Sequence, residues 1–106
     1  MEIKDRNFKL FGENWKIQFV EDLKYKEDDE GYTFGITNSP SHTIKIHLLD
    51  DEGKKQPKEV LRQTLAHELI HACLDSGQYI QSSQDEPMIE WLGKCILSII
   101  DQKLLN

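Results

Sequence analysis

His67-Glu68-Leu69-Ile70-His71 sets two imidazoles four residues apart with a carboxylate beside the first, the spacing H-E-x-x-H. On an α-helix, residues four apart stand one turn above each other on one face, so both rings can reach a single cation. Imidazole nitrogens at about 2.0–2.1 Å suit zinc, and a neighbouring carboxylate is placed to take a proton from a metal-bound water. With four His and ten Glu in the chain, random placement yields this pattern in about one sequence of this length in a hundred. The plain alternative is a pair of histidines satisfied by ordinary packing beside a solvated glutamate. It is costly here, because Glu68 is flanked by Leu65, Leu69 and Ala72 and would be enclosed without benefit.

A catalytic zinc needs a third protein ligand and one open position. A third His six residues after His71 is absent, since position 77 is Gly77, which excludes the metzincin pattern. The downstream carboxylates are Asp75, Asp85, Glu86 and Glu90. The ion would sit near the level of Leu69, about 10 Å from the end of its helix, and an antiparallel partner helix starting near Asp85 regains that level around Glu90 to Leu92. Glu90 is therefore the first choice as third ligand and Glu86, one turn lower on the same face, the alternative; the other Glu can support a ligand from behind. Gly93 would let the two helices approach closely.

The elements that must position these groups follow from periodicity. Phe8 and Leu10, then Trp15, Ile17 and Phe19, then Tyr32, Phe34 and Ile36, then Ile44, Ile46 and Leu48 alternate in steps of two, which reads as strands with one buried face. Gly12-Glu13-Asn14 is a tight-turn candidate, Lys24 to Gly31 a charged exposed loop, and Asn38-Ser39-Pro40-Ser41 a break before the Thr43–Leu49 strand. Pro57 suits the first residue of a helix that runs to Ser76 and stops at Gly77, and its stretch from Leu65 to Leu74 is apolar almost all round, as a helix covered on more than one side must be. Asp85 or Glu86 can cap a second helix with Pro87 in its first turn and apolar positions from Met88 through Leu105. The fold expected is α+β: a small, mainly antiparallel sheet of three or four strands on a central H-E-x-x-H helix and a second, C-terminal helix.

The 106 residues correspond to one domain, 1–106, with one core. Apolar residues make up 38% and charged residues 30%, a globular balance. Thirteen basic against nineteen acidic residues give a net charge of −6, which speaks against direct contact with nucleic acid. The polar start, the lack of an apolar segment of bilayer length, and two cysteines without a C-x-x-C pair point to a cytoplasmic protein without a membrane span.

Thr64-Leu65-Ala66-His67-Glu68-Leu69-Ile70-His71-Ala72, preceded by Thr43-Ile44-Lys45-Ile46 and followed by Asp85-Glu86-Pro87-Met88-Ile89-Glu90, resembles small phage- and prophage-encoded zincins related to the ImmA/IrrE-type metallopeptidases. The resemblance spans roughly positions 31 to 100. It implies Zn²⁺ held by His67, His71 and Glu90, with Glu68 as general base. It also implies a peptide or protein substrate, since larger relatives cleave repressor-type regulators. Family members often carry Ala-Asn where this chain has Gly93-Lys94. A thermolysin-like gluzincin alignment instead makes Glu86 the ligand and Glu90 its supporter.

The function expected is zinc-dependent hydrolysis of a peptide bond, with the peptide extended along an exposed sheet edge, for which the Thr43–Leu49 strand is preferred. His42, His47, Tyr32 and Tyr79 are the donors available for oxyanion stabilisation. His47, sharing a strand face with Lys45, should point away from the core. Cys73 should be a buried thiol turned away from the metal, and Trp15, Trp91 and the phenylalanines should be core. Two other readings use the same residues: a zinc that only staples a small core, and an inactive zincin-like domain, with structural or absent zinc, acting as a protein-interaction module.

Overall fold

The computed structural model describes residues 1–23 and 33–102. In chain order these form β1 (Arg6–Leu10), β2 (Glu13–Val20), β3 (Gly35–Asn38), β4 (Thr43–His47), α1 (Lys58–Ser76), a 3-10 turn (Ser82–Gln84) and α2 (Glu86–Ile100). The architecture is α+β, with four strands in the order β1-β2-β4-β3 and two helices. The Lys24–Gly31 loop and the end of the second helical pattern at Leu105 lie outside the described residues.

β1–β2 and β3–β4 pair antiparallel, whereas β2–β4 pair parallel with Ile17 opposite Ile44. The sheet is therefore mixed, which corrects the expectation of a mainly antiparallel one. Alternation fixes which face a residue shows but not which strand lies beside it. The chain leaving β2 reaches the far edge before β4 returns between them, a connection long enough for the dozen or more residues that a parallel crossover needs. β4 takes the interior because Ile44 and Ile46 are fully buried. The Thr43–Leu49 segment is thus not an exposed edge; the edges are β1 and β3.

Trp15 and Ile17 of β2, Ile44 and Ile46 of β4, and Leu61, Leu65 and Ala72 of α1 form the core. At about 1.5–3 kcal/mol for each large side chain fully removed from water, this layer is the main source of stability that holds α1 against the sheet. The β1–β2 hairpin turns at Phe11-Gly12, with φ of 50° and 81° and Leu10 paired to Glu13. Two positive φ values match the twist of a two-residue hairpin, so the turn falls one residue earlier than its composition suggests.

α1 begins after Pro57, whose carbonyl accepts from Val60 and Leu61, and ends at Gly77. Asp85 caps α2, its Oδ1 accepting from Met88 N at 3.2 Å. The helices are antiparallel, since Arg62 near the start of α1 pairs with Asp101 just past the end of α2. They meet at Ile89, fully buried, and at Gly93, where an added Cβ would lie 3.4 Å from His67 N. Trp91, about 200° round α2 from Ile89, is 66% exposed rather than core, as are Phe11 at the hairpin tip and Phe34 before β3. Cys73 is also exposed. Among the described residues no helix is long and apolar enough to cross a membrane.

Candidate metal centre

α1 presents His67, Glu68 and His71 toward a cavity of about 520 Å³ bounded by β3 and the start of α2. Gly35 permits that approach: a Cβ there would stand 3.0 Å from both Glu68 Cγ and Thr64 Cγ2. Only a strand lacking a side chain at this point can lie so close to the helix.

The two imidazoles sit one turn apart, with ring centroids 5.0 Å from each other. Their Nε2 atoms converge on one carboxylate: His67 Nε2 is 2.8 Å from Glu86 Oε2, and His71 Nε2 is 3.2 Å from Glu86 Oε1. Both Nδ1 atoms face the other way and are also partnered. His67 Nδ1 lies 2.9 Å from Glu90 Oε2, and His71 Nδ1 lies 2.9 Å from Ser83 Oγ. His67, His71 and Glu86 each offer one donor atom within 4.8 Å of the others. Of the two glutamates weighed from the sequence, Glu86 shares the Nε2 side of the rings and Glu90 occupies the back of His67.

Glu68 is buried, and its Oε2 stands 4.0 Å from His67 Nε2. The Thr37 hydroxyl lies 2.9 Å from Glu68 Oε1 and 3.0 Å from the Glu68 carbonyl oxygen, tying β3 to the motif. Burial pushes the Glu68 carboxyl above its ordinary range, and the Thr37 hydrogen bond and the charges of His71 and His67 only partly offset this. A carboxyl so placed gains from any cation brought beside it.

Thr37 and Ser83 were not singled out from the sequence. Thr37 reaches the site across the sheet, so no helical spacing marks it. Ser83 sits in the middle of the 3-10 turn that leads α1 into α2, and the only hint of it is a hydroxyl two residues before the Asp85 cap. Of the proposed oxyanion donors among the described residues, none lines the cavity. His42 stacks on Trp15 at 4.8 Å and pairs with Glu13, and Tyr79 is exposed over Gly77. Tyr32 lies outside the described residues. His47 is 8% exposed, with Nδ1 3.0 Å from the Thr33 carbonyl oxygen and Nε2 3.1 Å from that of Glu21, so it does not point to solvent beside Lys45.

No protein-family model, curated protein or solved structure matches this chain.

Proposed function

We propose that the chain is a minimal zinc-dependent peptidase of zincin type, akin to the ImmA/IrrE-type enzymes, acting on a peptide or protein in the cytoplasm. The reading is carried by one observation: the Nε2 atoms of His67 and His71 converge on the Glu86 carboxylate beside the buried Glu68. The donor set fits zinc. Two imidazole nitrogens and one carboxylate oxygen complete the protein share of a catalytic site, and His67, His71 and Glu86 each bring one such atom within 4.8 Å of the others. His67 also faces carboxylates from both ring nitrogens. A neutral ring has a single N–H to donate, and its other nitrogen offers a lone pair that a divalent cation can take.

In this assignment His67, His71 and Glu86 are the ligands. Glu90 and Ser83 accept the Nδ1 protons, fixing both rings in the tautomer that leaves Nε2 free. Zinc, when bound, supplies a Lewis acid that lowers the pKa of a water and polarises a carbonyl. Glu68 accepts the proton on Oε2 while Thr37 holds Oε1, and passes it to the leaving amine. The substrate lies extended along β3, the edge strand that borders the cavity.

The test is metal analysis with a peptide-cleavage assay on wild type, His71→Ala and Glu68→Gln. Wild type should carry about one zinc per chain and cut peptides; His71→Ala should lose the metal; Glu68→Gln should keep it and lose cleavage. Wild type that takes up no divalent ion refutes the proposal. Wild type that binds zinc without cutting any peptide points to a zincin-like interaction module instead.

A further inference from the structure

We infer that the cleft selects a peptide with a basic side chain and that Asp75 is the residue that selects it; this rests on the peptidase reading above. Val60, Thr64, His67, His71 and Asp75 follow one another along α1 about a turn apart and line one wall of the cavity. β3 faces them and runs in the same direction. Gly35 lies against Thr64 and Glu68, Thr37 against Glu68, and Ser39, just past β3, against Asp75.

The two ends of the cleft therefore differ. Val60 lines the one nearer the start of α1. At the other, Ser39 Oγ donates to Asp75 Oδ2 at 2.6 Å, which fixes the carboxylate without neutralising it. Glu86 and Glu90 lie against imidazoles, and Glu68 is buried. Among the described residues Asp75 is the one acid lining the cavity that has no imidazole within 4.0 Å, and its side-chain partner is the Ser39 hydroxyl. Among the described residues no lysine or arginine lines the cavity. A carboxylate held in place and lacking a cation is complementary to Lys or Arg on an incoming chain.

Geometry also sets the register. A peptide added antiparallel to β3 runs from the Asp75 end toward Val60, so Asp75 lies on the N-terminal side of the bond to be cut. The ion's level, midway between His67 and His71, lies about six residues of helix from Asp75, about 9 Å, which an extended peptide spans in about three residues. The basic residue belongs about three positions before that bond.

Two fluorescein-labelled octapeptides, identical except for Lys or Glu at that position, test the inference by fluorescence anisotropy. The protein is supplied with zinc and carries Glu68→Gln so that neither peptide is consumed. The Lys peptide should bind about fivefold more tightly at low salt. Adding Asp75→Asn should bring the ratio near one, Asp75→Lys should invert it, and Ser39→Ala, which keeps the charge, should retain most of it. Circular dichroism checks that each variant is folded. Equal affinities, a preference that survives Asp75→Asn, or no binding of either peptide overturns the inference. Wild-type cleavage is read separately: equal cutting of both peptides upholds hydrolysis and refutes selection, whereas a Lys preference in binding without cutting does the reverse.

Discussion

Glu86→Gln and Glu90→Gln remove the same charge from neighbouring turns of one helix, so comparing them isolates what each carboxylate does. Both side chains are at least half exposed, at 61% and 50%, and without metal each variant should stay within about 0.5 kcal/mol of wild type. If the site takes zinc as proposed, the metal should separate them. Glu90 lies behind His67, and loss of a carboxylate orienting a ligand imidazole costs about 10–100-fold in metal affinity, about 1.4–2.7 kcal/mol. Glu86 faces both Nε2 atoms, and its loss removes the sole anionic ligand and one of three protein donors, on the order of 10³-fold or about 4 kcal/mol. At free zinc equal to about 100 times the wild-type dissociation constant, linkage stabilises wild type by about 2.7 kcal/mol, a 30-fold weaker variant by about 0.9 and a 10³-fold weaker one by about 0.1. For a domain of this size those values correspond to melting shifts of roughly 11, 4 and under 1 °C. Calorimetry with and without zinc, beside competition against a chromophoric chelator, reads both quantities. If Glu90→Gln loses more zinc affinity than Glu86→Gln, or if the two are equal, the division into ligand and supporter is wrong.

Three further outcomes are expected. Gly35→Ala should destabilise by about 1–2 kcal/mol in urea titration, because its Cβ meets Glu68, pinned by Thr37, and Thr64, whose hydroxyl donates to Val60 O; Gly93→Ala, with 3.4 Å to its nearest neighbour, should be neutral or up to about 1 kcal/mol more stable. Phe11→Asn should stabilise by about 0.5–1 kcal/mol in the same titration, since Asn adopts positive φ more readily than Phe before Gly12, and an unchanged midpoint would contradict the turn assigned here. The folded pKa of Glu68 is raised above its ordinary 4.5, so its contribution to metal-free stability is full below that value and is lost as pH rises through the folded pKa; Glu68→Gln should gain on chelator-treated wild type across that window, and parallel stability curves would count against a buried carboxyl.

What could be read from the sequence is what is local. The convergence of His67 and His71 is a property of four residues of helix, and Pro57, Gly77 and Asp85 mark helix ends because their backbone chemistry acts within a turn. Sheet order was not legible, since Ile44 and Ile46 state that a strand is buried without stating between which neighbours. His47 defeated the parity rule because the Glu21 and Thr33 carbonyls cover the sheet face that alternation assigns to solvent. Trp91 was misplaced because α2 is apolar over more of its surface than one contact can bury, and Ile89 with Gly93 takes that contact. Glu86 and Glu90 lie only about 40° apart on their helix, so the rise per residue ranks their levels to about a turn and leaves the choice to where the Ser82–Gln84 turn sets the helix start.

That start also explains why two glutamates at this spacing serve one pair of histidines in different ways. Residues i and i+4 of α2 point the same way, so one carboxylate meets the Nε2 side of the rings and the next, a turn farther on, passes behind His67 to its Nδ1. Glu68 adds a third carboxyl, allowed close to β3 by Gly35 and held by Thr37. In the metal-free protein burial and, to a smaller extent, the neighbouring Glu86 charge both disfavour an ionised Glu68, a repulsion between carboxyls that the imidazoles only partly offset. A divalent cation at the Nε2 side lowers that repulsion and adds ligand bonds, so it should bind the folded chain far better than the unfolded one. Metal affinity and fold stability are then coupled through the same few side chains, and a substitution that relaxes the repulsion, such as Glu68→Gln, should stabilise the metal-free protein while narrowing the gain that zinc confers.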